Sequence, residues 1–89
     1  MEHRTSAAFW QHYHSLDSNT QRIADKQFSL LQVDPQHPSL QFKKIGERLG
    51  NEIWSARVTL SYRALAIKRP DEYLWFWIGG HATYESQIT

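Results

Sequence analysis

The chain has 89 residues, of which 40% are hydrophobic and 13% aromatic, and its formal net charge is +1. This composition argues against a disordered chain and predicts a single globular domain over residues 1–89. The absence of cysteine excludes disulfides and thiolate metal sites. No run approaches the roughly 18 apolar residues that a membrane span needs, and residues 1–4 lack a signal-peptide core. We therefore expect a cytoplasmic protein without a membrane partner.

The positive charge is concentrated in one segment of the chain. Residues 41–69 contain seven basic and two acidic residues, a net charge of +5, whereas residues 1–40 and 70–89 carry −1 and −3. Such asymmetry favours an anionic partner, either nucleic acid or an acidic protein. The alternative is that these lysines and arginines keep exposed strands soluble and protect the sheet edges.

Two amphipathic helices are predicted in the first part of the chain. Thr5 or Ser6 can cap the first helix, whose apolar residues follow at helical spacing. A second cap signal at residues 17–19 begins a longer amphipathic helix, which ends before Pro35 and Pro38. The short break between the two helices predicts an antiparallel helical hairpin.

The hydrophobic period changes from 3.6 to 2 at Leu40, which predicts strands from there on. The predicted strands cover residues 40–45, 53–59, 62–68 and 73–78, and a short helix is predicted over residues 81–88. A loop is expected at residues 46–51, with turns at residues 60–61 and 69–72. The predicted fold is α+β, an N-terminal antiparallel helical hairpin packed on a four-stranded antiparallel sheet with a short C-terminal helix.

The last predicted strand, residues 73–78, consists of apolar and aromatic residues throughout. Helices on one face of the sheet cannot bury side chains that point in both directions. We therefore expect the final helix, a binding partner, or both to cover the second face.

Arg57 and Arg63 flank the tight turn at residues 60–61, so we expect them on one side of neighbouring strands. Two guanidinium groups placed together suit a phosphate, which arginine binds bidentately. Alternation predicts that Lys43 joins this side, whereas Lys44 points with the core residues. The alternative is that the arginines are solvated or form ion pairs with a glutamate, Glu47, Glu52 or Glu85.

His81 and Tyr84 are three residues apart just after the last strand. A histidine can act as a general acid or base, and a phenol can donate or position a proton. Alone, a histidine and a tyrosine at this spacing more often form a capping or packing pair. Beside two arginines they predict a phosphodiester site. The remaining histidines lack metal-site spacing, so we predict no metal and no cofactor.

Three segments together resemble the RelE/ParE family of toxins. These are residues 37–45 (HPSLQFKKI), residues 53–65 with their two arginines, and residues 75–84 (WFWIGGHATY), which are similar to a closing IG-x-H-x-x-Y pattern. The resemblance implies the toxin of a type II toxin–antitoxin system, held inactive by a cognate antitoxin in a complex that can be a higher oligomer. Only about four residues precede the first predicted helix, so the first strand usual in the family is barely present.

The RelE-like branch of this family is favoured. It implies a metal-independent endoribonuclease that cuts mRNA on the ribosome and blocks translation, by attack of a ribose 2′-OH on the adjacent phosphate. By resemblance, Arg63 would stabilise the phosphate, with Arg57 and Lys43 as supporting contacts, and His81 and Tyr84 would transfer protons or position the nucleotide. The ParE-like branch implies inhibition of DNA gyrase instead, and a non-toxic partner-binding module is the third alternative.

Overall fold

The computed structural model describes residues 1–80 of the chain. The elements, in chain order, are β1 (Glu2–Thr5), α1 (Ala7–His14), α2 (Ser18–Val33), a 3₁₀ helix (Pro38–Leu40), β2 (Lys43–Arg48), β3 (Asn51–Arg57), β4 (Tyr62–Lys68) and β5 (Glu72–Gly80). No helix within this part of the chain is long and apolar enough to cross a membrane.

The sheet has five strands in the order β1-β5-β4-β3-β2, and it is mixed. The strands β2 to β5 are antiparallel neighbours, whereas β1 runs parallel to β5. The predicted four-stranded antiparallel sheet behind an N-terminal helical hairpin is therefore wrong, because a strand precedes both helices. The predicted C-terminal helix lies outside the described residues.

The strand β1 was not predicted because nothing in its sequence marks it. Its four residues, Glu-His-Arg-Thr, show no apolar alternation. The strand depends on pairing with a distant segment, since Glu2 is the register partner of Glu72 and Thr5 that of Trp75. Pairing of this kind is not visible in a local sequence window.

Both helices begin at the predicted caps. The hydroxyl of Ser6 accepts a hydrogen bond from the Phe9 amide at 3.2 Å, and the carboxylate of Asp17 accepts one from the Thr20 amide at 2.7 Å. The bond to Thr20 favours the charged carboxylate and so lowers the pKa of Asp17. The hydroxyl of Ser6 also donates to the carbonyl of Trp75 at 3.1 Å, which joins the start of α1 to β5.

The strand β2 begins three residues later than predicted and extends into the predicted loop. Residues 38–40 form the 3₁₀ helix, capped by the side chain of His37, and Gln41 follows with a φ of 41°. The hairpin to β3 then turns at Leu49 and Gly50 alone, where both φ angles are positive, 52° and 81°. A two-residue turn in which both φ angles are positive matches the twist of the two paired strands.

The hairpin from β3 to β4 turns at Leu60 and Ser61, as predicted. The amides of Val58 and Thr59 both donate to the carbonyl of Tyr62, so β3 has one extra residue at its end. The strand β4 has the predicted bounds. The strand β5, by contrast, continues past its predicted end at residue 78 and includes Gly79 and Gly80.

The two faces of the sheet differ in what buries them. One face, called the helix face, packs against α1 and α2 through Phe9 and Leu31. Its buried sheet residues are Ala56, Val58, Ala64, Ala66, Tyr73, Trp75 and Ile78.

The opposite face, called the second face, carries the residues of alternate register on β3, β4 and β5. Among them Ser55, Leu65 and Trp77 are at most 4% exposed. The strand β5 thus buries side chains on both faces within the single chain. Both faces of β5 are therefore covered, as expected, and these residues do not require a partner for that cover.

Candidate nucleic-acid interface

The two arginines predicted to act together are register partners. Arg57, the last residue of β3, lies directly opposite Arg63 on β4, and both side chains belong to the second face. Directly opposed residues on an antiparallel pair have Cβ atoms about 4.5–5.5 Å apart. The expectation that the arginines lie on one side of neighbouring strands is confirmed.

Arg63 is anchored on a buried hydroxyl. Its Nη1 atom donates to Oγ of Ser55 at 3.3 Å. Ser55 is fully buried in β3, and Leu65 is its register partner on β4. The hydrogen bond therefore runs diagonally from β4 to β3, because Ser55 lies two residues before Arg57, the residue directly opposite Arg63.

Arg57 is directed the other way. Its Nη2 atom donates to Oε1 of Gln41 at 3.0 Å, on the segment that leads into β2. Gln41 ends the 3₁₀ helix, and its amide donates to the carbonyl of Pro38 at 3.3 Å. The two guanidinium groups thus contact acceptors on different sides of the arginine pair.

The two lysines of β2 lie on opposite faces, as predicted. Lys43 is the register partner of Ser55 and so shares the second face with the arginines. Lys44 is the register partner of Trp54 on the helix face, and its Nζ atom lies 2.9 Å from the Glu47 carboxylate. That contact raises the pKa of Lys44. We call Lys43, Arg57 and Arg63 the basic cluster.

The carboxylates of β2 and β3 lie on the helix face, away from the basic cluster. Glu47 and Glu52 are register partners, and Glu52 accepts a hydrogen bond from Nε1 of Trp54 at 2.9 Å, which lowers the pKa of its carboxyl. Neither glutamate is therefore placed to pair with the arginines or to accept a proton beside them. Glu85, the third glutamate considered, lies outside the described residues.

His81 and Tyr84, the predicted proton-transfer residues, also lie outside the described residues. Within residues 1–80 no group of three or more histidine, aspartate or glutamate side chains could hold a metal ion. The cluster itself offers two guanidinium groups and one ammonium group. These cations can bind and neutralise a phosphate.

Sequence reasoning missed Ser55 and Gln41, the two hydrogen-bond acceptors of the arginines. A signal for Ser55 was present, since it alternates with Ile53 and Arg57 and must share their face. Its small polar side chain on a face of large residues marks a place where a hydroxyl has a partner. Gln41 gave no such signal, because its position depends on the 3₁₀ helix that replaces the predicted start of the strand.

Compared by sequence, the chain matches no protein-family model and no curated protein. Compared by structure, it is similar to several solved proteins over most of its length. YafQ from E. coli has a TM-score of 0.72 at 10% identity, covering 93% of this chain and 96% of that one. A chain of the archaeal RelE–RelB complex from Pyrococcus horikoshii has a TM-score of 0.67 at 12% identity, covering 89% and 92%.

The YoeB dimer from Staphylococcus aureus is a third such structure, with a TM-score of 0.66 at 10% identity, covering 91% of this chain and 97% of that one. At these identities the likeness is one of fold, and the sequences have few residues in common. The chain therefore has the fold of these proteins, as the resemblance of its sequence to the RelE/ParE family implies.

Proposed function

We propose that this protein is the toxin of a toxin–antitoxin pair and acts as a metal-independent endoribonuclease that cuts mRNA on the ribosome and so blocks translation. The observation that carries the proposal is the basic cluster. Arg57 and Arg63 are opposed on the second face, with Lys43 beside them on β2. A RelE/ParE-like fold that presents three cations on one sheet face suits an RNA phosphate.

The proposed reaction is attack of a ribose 2′-oxygen on the adjacent phosphorus. It forms a 2′,3′-cyclic phosphate, breaks the bond to the 5′-oxygen, and moves the 2′-OH proton to a base while the leaving 5′-oxygen gains one. Negative charge grows on the non-bridging oxygens in the transition state. Arg63 and Arg57 would stabilise that charge, and Lys43 would hold the neighbouring phosphate.

The proton transfers are assigned to His81 and Tyr84, on the basis of residue type and the sequence resemblance. Glu47 and Glu52 are on the helix face, so they do not compete for this role. A histidine near its ordinary pKa can take a proton from one oxygen and return it to another.

A cognate antitoxin is the second part of the proposal. The similar archaeal structure is a RelE–RelB complex, which supports a protein partner for this chain as well. Within residues 1–80, β2 is an outer strand of the sheet, so its edge can pair with a strand of such a partner. An antitoxin that binds across the basic cluster would keep the toxin inactive.

The proposal is tested by RNA binding to the purified protein as a function of salt concentration. We expect Arg63→Ala and Arg57→Ala each to weaken binding and to lower the slope of log affinity against log salt by about 0.7–1, because each removes a phosphate contact. Arg22→Ala is the matched control, since Arg22 is exposed on α2 and remote from the second face. Equal losses in Arg22→Ala and Arg63→Ala would contradict the proposed site.

A further inference from the structure

The basic cluster brings two like charges into direct opposition. Arg57 and Arg63 are register partners, an arrangement that is unfavourable for residues of the same charge. Arginine side chains are long and have many rotamers, so an unanchored pair would move apart and point in many directions. A pair that binds one phosphate bidentately must instead be held in a defined geometry.

Ser55 can hold Arg63 because it is itself immobile. The residue is fully buried in β3, which has a hydrogen-bonded strand on each side. Close packing around such a residue leaves its side chain little freedom, so the Oγ atom is held in one place. The Nη1 atom of Arg63 lies 3.3 Å from this oxygen and is thereby drawn along β3, away from Arg57.

Gln41 holds Arg57 from the opposite side. Lys43 is the register partner of Ser55, so Gln41, two residues earlier, comes beside Arg57, two residues later. Gln41 has a φ of 41°, which is unusual for a residue other than glycine, and its backbone amide donates a hydrogen bond to the carbonyl of Pro38, which holds it there. Its side-chain oxygen accepts from Nη2 of Arg57 at 3.0 Å.

We infer that Ser55 and Gln41 are positioning residues, which hold the guanidinium groups of Arg63 and Arg57 apart so that a phosphate fits between them. The inference rests on the proposed function, because it concerns the same RNA site. It adds two residues that contact no substrate themselves. One hydrogen bond of each guanidinium group is thus made to a residue outside the basic cluster, to Ser55 for Arg63 and to Gln41 for Arg57.

The test is a pair of double-mutant cycles read by RNA binding. We expect Ser55→Ala to weaken binding about tenfold and Gln41→Met about threefold, the smaller change reflecting the exposure of Gln41. Ser55→Ala should have no further effect once Arg63 is alanine, but its full effect once Arg57 is alanine. Gln41→Met should have no further effect once Arg57 is alanine, but its full effect once Arg63 is alanine.

Equal effects of Ser55→Ala in both arginine backgrounds would overturn the inference, because they would show a general loss of structure. The Ser29→Ala variant, on the exposed side of α2, is the control for serine removal.

Side-chain NMR separates failure of this inference from failure of the proposed function. If Arg63→Ala leaves RNA binding unchanged, the proposed RNA site is wrong, and the guanidinium signals decide the positioning role. Ser55→Ala should then shift the Nε signal of Arg63 and leave that of Arg57 in place. An unchanged Arg63 signal would overturn the positioning role as well.

Discussion

At the scale of single residues, Trp77 and Gly79 show how tightly the second face is packed beside the arginines. Gly79 is the register partner of Arg63, and a Cβ atom added there would lie 2.6 Å from Cζ2 of the Trp77 indole. The indole therefore lies over the glycine. Trp77 is only 4% exposed, so its ring has little room to move aside.

We predict that Gly79→Ala lowers the free energy of unfolding by about 1–3 kcal/mol, because the new methyl group overpacks a filled site. Urea denaturation of the purified protein measures this. Gly46→Ala is the matched control in β2, where an added Cβ atom meets nothing within 4 Å. A Gly79→Ala protein as stable as Gly46→Ala would show that the indole does not occupy this position.

His3 links β1 to β5 through a hydrogen bond that depends on protonation. Its Nδ1 atom accepts from Nε1 of Trp75 at 3.1 Å, and its ring stacks on Tyr73 at 5.3 Å. Burial lowers the pKa of His3 below 6.5, and the N-terminal ammonium lowers it further. Below pH 6.5 the unfolded chain therefore binds a proton that the folded chain still excludes.

The sign of the pH dependence follows from that difference. The stabilisation from His3 is fully present above pH 6.5 and is lost as the pH falls through 6.5 toward the lowered pKa of the folded state. We predict a lower free energy of unfolding at about pH 5.5 than at about pH 7.5, and a smaller difference in His3→Phe. His14→Phe, at an exposed position of α1, should keep the wild-type difference. A His3→Phe protein with the wild-type difference would rule out this assignment.

At the scale of elements, the connection between β1 and α1 depends on Ser6. Its hydroxyl caps α1 at the Phe9 amide and donates to the Trp75 carbonyl, while its own amide donates to the same carbonyl at 3.0 Å. We predict that Ser6→Ala lowers the free energy of unfolding by about 1–2 kcal/mol, since it removes a cap and a bond to β5. Ser15→Ala, at the other end of α1, should change it by less than about 0.5 kcal/mol. Similar losses in both variants would argue against this role of Ser6.

The elements also show where sequence is sufficient and where it is not. The helix α2 and the strand β4 were predicted because a cap, an amphipathic period and a turn mark them locally. The strand β1 was not predicted, because it forms only by pairing with β5. The start of β2 was misplaced because the prolines before Leu40 favour a 3₁₀ turn over an early strand.

In the candidate site, too, some features could be predicted from the sequence and others could not. The opposition of Arg57 and Arg63 could be predicted, since alternation and a short turn determine which face each residue takes. The acceptors of these arginines could not, because Ser55 is diagonal across the strands and Gln41 belongs to another segment. Contacts of that kind depend on side-chain direction as well as on register.

At the scale of the whole molecule, the charge of the segment 41–69 is distributed over three neighbouring strands, β2, β3 and β4. Lys44 is paired with Glu47 on the helix face, and Arg69 lies 3.9 Å from Glu72 at the end of the sheet. The basic cluster is on the second face, away from the glutamates of β2 and β3. Three of the seven basic residues of this segment therefore lie on one face, which supports binding of a polyanion there.

The most direct test of the proposed function is mapping of RNA 5′ ends in cells after induction of the protein. We predict new 5′ ends within translated mRNAs for the wild type and for Arg22→Ala, and their loss in Arg63→Ala at equal protein level. Growth arrest with a DNA-damage response and no new RNA ends would contradict the account and indicate gyrase inhibition instead. Cleavage that persists unchanged in Arg63→Ala would contradict the role of the basic cluster.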